Sequence, residues 1–223
     1  MKSVIVAFPG RTFSGSFLMN WSKTLLELTK RGYKVAMVND YSSFVPFARM
    51  KTLGLDVLRG SEQKPFDGNV NYDVWVTIDS DIFFIPEQII ELIEDTDKHP
   101  VVSGVYRMTD LKHYAAAKNW DLDYFKKFGT FKFLRLEDLE GAPKYTKVAY
   151  NGMGFMAIRR EVLEKLKYPY FSYPLQEIER EDGTLVRDMC SEDVAFCKNI
   201  ADAGYDVMIN TMLRVGHEKQ LVI

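Results

Sequence analysis

The chain has 223 residues, 47% hydrophobic and 27% charged, with 29 Lys and Arg against 31 Asp and Glu for a formal net charge of −2. These are the proportions of a soluble globular protein, and they exclude a disordered tail, a collagen-like fibre and a disulfide-dense miniprotein. Near-neutral charge also argues against binding duplex DNA by bulk electrostatics.

The length suits a single domain over residues 1–223 with a sizeable core. No apolar run reaches the roughly 18 residues of a membrane span. The opening MKSVIVAFPG carries too short an apolar run for a signal peptide. Two cysteines, Cys190 and Cys197, are too few for a disulfide scaffold. The expectation is a reduced, cytoplasmic protein with buried thiols.

Residues 3–8 (SVIVAF) read as a buried strand stopped by Pro9-Gly10. Residues 17–30 have helical spacing, with Leu18, Trp21, Leu25 and Leu28 near one face, and Gly32 follows as a helix terminator. A second strand at 33–38, a helix at 44–53 and a third strand at 73–78 come next. Pro86 opens a helix with an apolar stripe of Ile89, Ile90 and Ile93. A strand at 101–106 completes the first half, and this alternation predicts a mostly parallel sheet with helices on its faces. Residues 108–147, rich in Lys, Asp and aromatics, read as mixed helical and antiparallel pieces. A strand at 150–158, a short helix at 160–166, a Pro- and acid-containing loop at 168–188, a helix at 191–203 and a strand at 205–209 close the chain.

Four constellations carry possible chemistry. Asp79-Ser80-Asp81 follows an apolar strand, where ligands bind in open α/β sheets. Alternate residues of an extended segment point the same way, so both carboxylates can face one hard divalent cation; a solvated turn is the other reading. Ser191-Glu192-Asp193 opens a helix. The two acids either serve the helix dipole or supply a general base. His217 is a lone imidazole, of a kind that binds first-row metals, whereas His99 and His113 read as structural or surface residues. Gly152 and Gly154 alternate in a strand, so a substrate or a neighbouring strand approaches their backbone closely.

In this order along the chain, these signals resemble nucleotide-sugar-dependent glycosyltransferases of the GT-A fold, closest to the family 2-like group. The resemblance runs from about Val4 to about Glu218. It is firmest at 76–86 (VTIDSDIFFIP), at 101–106 (VVSGVY) and from 151 to 217. It implies an α/β fold with a central mostly parallel sheet and a smaller antiparallel acceptor-side portion. Residues 1–106 would form the nucleotide-sugar half and 107–223 the acceptor half. Asp81 would be a direct metal ligand, with Asp79 nearer the ribose or a metal-bound water and His217 a late metal ligand. Pro9, Gly10, Arg11, Arg49 and Ser80 would meet the nucleotide, and Gly152 and Gly154 would belong to the strand that lines the acceptor side. Asp193 would be the catalytic base and Glu192 its neighbour. The cofactor implied is Mn2+ or Mg2+, and the donor a nucleoside-diphosphate sugar, UDP-sugars being favoured.

Two departures matter. Met50 follows Arg49 where many relatives carry Asn, and no Gln/Arg-x-x-Arg-Trp element follows the Glu-Asp helix, which favours single addition over polymerisation. The acceptor hydroxyl remains open among a glycan, a protein and a hydroxylated DNA base. A sugar-phosphate nucleotidyltransferase is the rival enzyme, though Pro9 to Gly15 only faintly matches its Gly-rich loop. A non-catalytic nucleotide- or carbohydrate-binding module is the rival of another class.

Overall fold

The computed structural model describes residues 2–219. In chain order the elements are β1 (Ser3–Pro9), α1 (Gly15–Lys30), β2 (Lys34–Asp40), α2 (Val45–Thr52), β3 (Val74–Ile78), β4 (Ile82–Phe83), α3 (Pro86–Asp95) and β5 (Val101–Val105). There follow β6 (His113–Ala117), α4 (Leu122–Phe128), β7 (Phe133–Arg135), α5 (Leu136–Leu139), β8 (Tyr145–Val148), β9 (Tyr150–Asn151), β10 (Phe155–Arg159) and α6 (Arg160–Leu163). The last are β11 (Leu175–Glu179), β12 (Leu185–Met189), α7 (Glu192–Asp202), β13 (Val207–Arg214) and β14 (Gly216–His217).

The central sheet has the order β2-β1-β3-β10-β5-β13-β8. Its strands β2, β1, β3, β5 and β13 run one way, and β10 and β8 run the other. The near-continuous apolar runs of β1, β3 and β5 follow from burial on both faces. Val4, Val6, Val74, Val76 and Ile78 face α1 and α3, where Phe17, Trp21, Leu28, Ile89 and Ile93 pack. Their alternate neighbours Ile5, Ala7 and Trp75 face the opposite layer, which holds Met50, Leu53, Val194, Phe196, Cys197 and Ile200. The side-chain period of two therefore splits the core into two layers.

Four expectations need correction. On α1 the buried face is Phe17, Trp21, Thr24 and Leu28, while Leu18 is 61% exposed; Phe8 packs edge-on against Phe17 and Trp21 and sets that face. The strand expected at 150–158 is broken by Gly152–Gly154 into β9, which joins the β7-β6-β9 sheet, and β10, which joins the central one. The stretch expected as a loop at 168–188 contains an antiparallel hairpin, β11–β12. Finally, the last central strand continues to Arg214, and β14 follows it. Both cysteines are buried and free.

Candidate active site

Strands β1 and β3 are parallel neighbours, so their carboxyl ends open on one edge of the sheet. There Pro9, Gly10, Tyr41, Arg49, Asp79, Ser80 and Asp81 line a cleft of about 230 Å³. Gly10 allows the two strand ends to meet: a Cβ on it would stand 2.8 Å from the Ser80 Cβ. Arg11 lies outside this wall, with its guanidinium 5.8 Å from the Tyr41 ring centre.

Arg49, on α2, is almost wholly buried. Its Nη1 and Nη2 donate to the two carboxylate oxygens of Asp79 at 2.9 and 3.0 Å, and its Nε donates to Glu192 Oε1 at 3.3 Å. Burial would lower the guanidinium pKa, but the Asp79 charge and hydrogen bonds outweigh it and raise it. Glu192 in turn is raised by burial against the pull of Arg49. A buried cation between two carboxylates is a paired arrangement, as burial of charge demands.

Asp81 is brought to His217 by the short ladder between β4 and β14, in which Ile82 pairs with His217. The His217 Nε2 stands 3.1 Å from Asp81 Oδ2, and its Nδ1 donates to the Arg107 carbonyl at 2.8 Å. That carbonyl has no proton to give, so it fixes Nδ1 as the donor and directs Nε2 at Asp81. Lys219 Nζ also reaches Asp81 Oδ2, at 2.6 Å. Burial pushes the Asp81 pKa up, yet the hydrogen bonds of His217 and Lys219 prevail and hold it at about 2.

Among the described residues, no three His, Cys, Asp or Glu side chains form a closed metal cage. The spacing of the Asp81–His217 pair nonetheless fits two ligands of one divalent ion. Two ligands at ~2.0–2.2 Å from one ion, at right angles, lie about 3 Å apart, close to the spacing here. The Lys219 ammonium supplies the positive charge beside Asp81 in this structure.

Asp193 lies at the start of α7, where Ser191 is the N-cap. Its Oδ2 accepts from the Tyr150 hydroxyl at 3.0 Å, and its Oδ1 accepts from Ser191 Oγ and from the Val194 amide. Burial first, and then the Asp193 charge, raise the Tyr150 pKa, so Tyr150 remains a proton donor to the carboxylate. Tyr106, at the end of β5, joins the two sides: after burial, the charges of Asp79 and Asp193 raise its pKa. Its ring stands edge-on to His217 at 5.0 Å.

Tyr106 also identifies what approaches Gly152 and Gly154. A Cβ on Gly154 would stand 2.9 Å from the Tyr106 ring, and Gly152 abuts the same hydroxyl. The Gly154 amide donates to that hydroxyl at 3.1 Å. The two glycines thus make room for a tyrosine of this chain. His99 packs against Tyr145, and His113 pairs with Asp110 at 2.6 Å, both away from the cleft.

The sequence reading missed three participants. Tyr106 ends an apolar strand at the ligand-binding edge, which is a usable signal. Lys219 stands two residues beyond His217, on the same side of an extended segment. Tyr150 carries no such mark, since its role depends on a contact 43 residues away.

No family model matches the sequence, and no curated protein matches it. Solved structures do resemble the fold. A197 from STIV superposes with a TM-score of 0.52 at 17% identity, covering 100% of this chain and 97% of that one. GalNAc-T7, solved with UDP, GalNAc and Mn2+, gives a TM-score of 0.51 at 13% identity over 99% of this chain and 44% of its own. The present chain therefore spans less than half of GalNAc-T7. With its central sheet, flanking helices and small antiparallel sheets, the chain has the GT-A fold.

Proposed function

We propose that the protein is a glycosyltransferase that moves one sugar from a nucleoside-diphosphate sugar, a UDP-sugar being favoured, to an acceptor hydroxyl. The observation that carries this reading is the meeting of Asp81 with His217, 136 residues apart, at the cleft lined by Gly10, Arg49, Asp79 and Ser80. The presence of UDP and Mn2+ on the same fold in GalNAc-T7 supports it.

Asp81 and His217 would hold Mn2+ or Mg2+, whose chemistry when bound is to take up the charge developing on the departing diphosphate. Arg49 keeps the Asp79 carboxylate in one orientation, so Asp79 presents a fixed acceptor to the donor. Both its Nη groups are engaged, and its contribution to the nucleotide runs through Asp79. The sugar carbon passes through an oxocarbenium-like state. Asp193 accepts the proton of the attacking hydroxyl, while Tyr150 and Ser191 hold the carboxylate still. A base on the side opposite the leaving group inverts the anomeric centre, which is the outcome proposed here.

The deciding experiment is thermal stabilisation by a panel of nucleoside diphosphates and their sugars, first with Mn2+ and then with EDTA. The expected result is a shift confined to one nucleotide, abolished by EDTA and by Asp81→Ala. Asp81 is half exposed, so that substitution leaves the fold intact. No shift with any nucleotide in the presence of Mn2+ would overturn the reading.

A further inference from the structure

Two cavities adjoin α7 and the residue that caps it, and neither shares a wall residue with the cleft that holds Asp81. One of about 260 Å³ reaches Ser191, which donates to Asp193, and is walled by Phe131, Phe133 and Met189. The other, of about 360 Å³, runs along α7 past Val194 and is walled by Trp120, Leu122, Phe131 and Ile178. Phe125, Phe131 and Gln176 line both, so the cavities abut. Joined, they fall within the usual span of ligand sites, which are mostly apolar with a few placed polar groups.

The walls tie this space to Asp193. Phe131 packs on Trp120 at 5.4 Å and on Tyr150 at 6.1 Å, and the Tyr150 hydroxyl donates to Asp193. Trp120 is 44% exposed, whereas Trp21 and Trp75 are buried in the core. A flat aromatic left open to solvent at a cavity wall suits a ring with one apolar face.

The polar groups narrow the chemistry. Gln176 both donates and accepts, as pairing with hydroxyls requires. One cation, Lys198, stands among Asp121 and Asp202, so the walls carry no positive excess for a phosphate or a nucleic-acid backbone. Hydroxyl-rich rings with apolar faces and no charge meet all of these conditions.

We infer that these joined cavities are the acceptor site and that the acceptor is a neutral oligosaccharide, one ring of which stacks on Trp120 while its neighbour offers a hydroxyl to Asp193. The inference rests on the transferase reading for the role of Asp193, while saccharide binding itself is independent of it.

The test is calorimetric titration of the full chain with neutral gluco-, galacto-, manno- and xylo-oligosaccharides, with an oligo-thymidylate as the charged comparison. Tryptophan emission locates the contact, since Trp120 alone of the three is open to solvent. At least one saccharide series is expected to bind saturably and shift that emission. Trp120→Ala and Gln176→Ala should each weaken it, the former about tenfold, the scale of one lost aromatic contact. Stabilisation by UDP and Mn2+ should be unchanged in both variants, which also shows that they fold. Saccharide binding that is indifferent to Trp120→Ala, no saccharide binding beside intact UDP binding, or tighter binding of the oligo-thymidylate would each overturn the inference. Saccharide binding to a chain that ignores every nucleotide would uphold the site and overturn the transferase reading instead.

Discussion

The His217 imidazole sits between two fixed acceptors, and its hydrogen bond to Asp81 raises its pKa above the ordinary 6.5. A group raised on folding stabilises the native state fully below its unfolded pKa, and that contribution is lost as pH rises through the raised value. Unfolding free energy should therefore decline from about pH 6.5 up to the folded-state pKa of His217. An NMR titration of the ring should place its midpoint above 6.5 and lower in Asp81→Asn; an unmoved midpoint would show that Asp81 is not the cause. In the proposed metal site Mn2+ would need the same Nε2 deprotonated, so its affinity should climb across that window. At Asp193, replacement by Asn keeps the shape and removes the proposed base. Donor stabilisation should persist while transfer falls by ~10²–10⁴, and near-normal transfer would move the base elsewhere. The individual carboxylates and His217 could be picked from the sequence because each type has its own chemistry. Their pairings could not, because Arg49 with Glu192 and Tyr150 with Asp193 meet only through the folded chain.

The two-residue strands β4 and β14 have little stability of their own, yet their pairing sets Asp81 against His217. Tyr106 stands edge-on to His217 beside that pairing, and its place requires glycine at 154. Gly154→Ala would drive a methyl group into the Tyr106 ring. The expected cost is ~1–3 kcal/mol for overpacking, with a further loss of donor stabilisation because Tyr106 flanks His217. Gly15→Ala is the comparison, since a Cβ there meets nothing within 4 Å. Equal melting temperatures for the two variants would contradict this account. The central strands and helices were legible because burial on both faces writes long apolar runs and helical stripes into the sequence. The hairpin β11–β12 was not, because its alternating, largely exposed residues and its Arg180–Gly183 turn have the composition of a loop.

Across the whole molecule, stability is unevenly spread. The seven-stranded sheet lies between two apolar layers, whereas the β11–β12 hairpin forms a sheet of its own. A two-stranded ribbon is marginal in water, and such units open first. Limited trypsin digestion should cut earliest at Arg180 or Arg187, before any site in 108–147, and bound oligosaccharide should slow that cut because Gln176 and Ile178 wall the cavity. First cleavage elsewhere would show that the hairpin is as firmly held as the rest. The fold class was readable from strand and helix alternation alone, while the crossing of β10 between β3 and β5 and the return of β14 to the Asp81 turn are long-range facts with no local mark. Arg49 belongs to this scale too, since α2, the turn after β3 and α7 contribute one charge each to its cluster. For anyone redesigning the protein, positions 49, 79 and 192 are therefore one choice rather than three. Removing Arg49 leaves the Glu192 carboxylate buried without its cation, and removing either acid takes away part of the guanidinium's pairing, so a redesigned cleft has to replace the trio as a set.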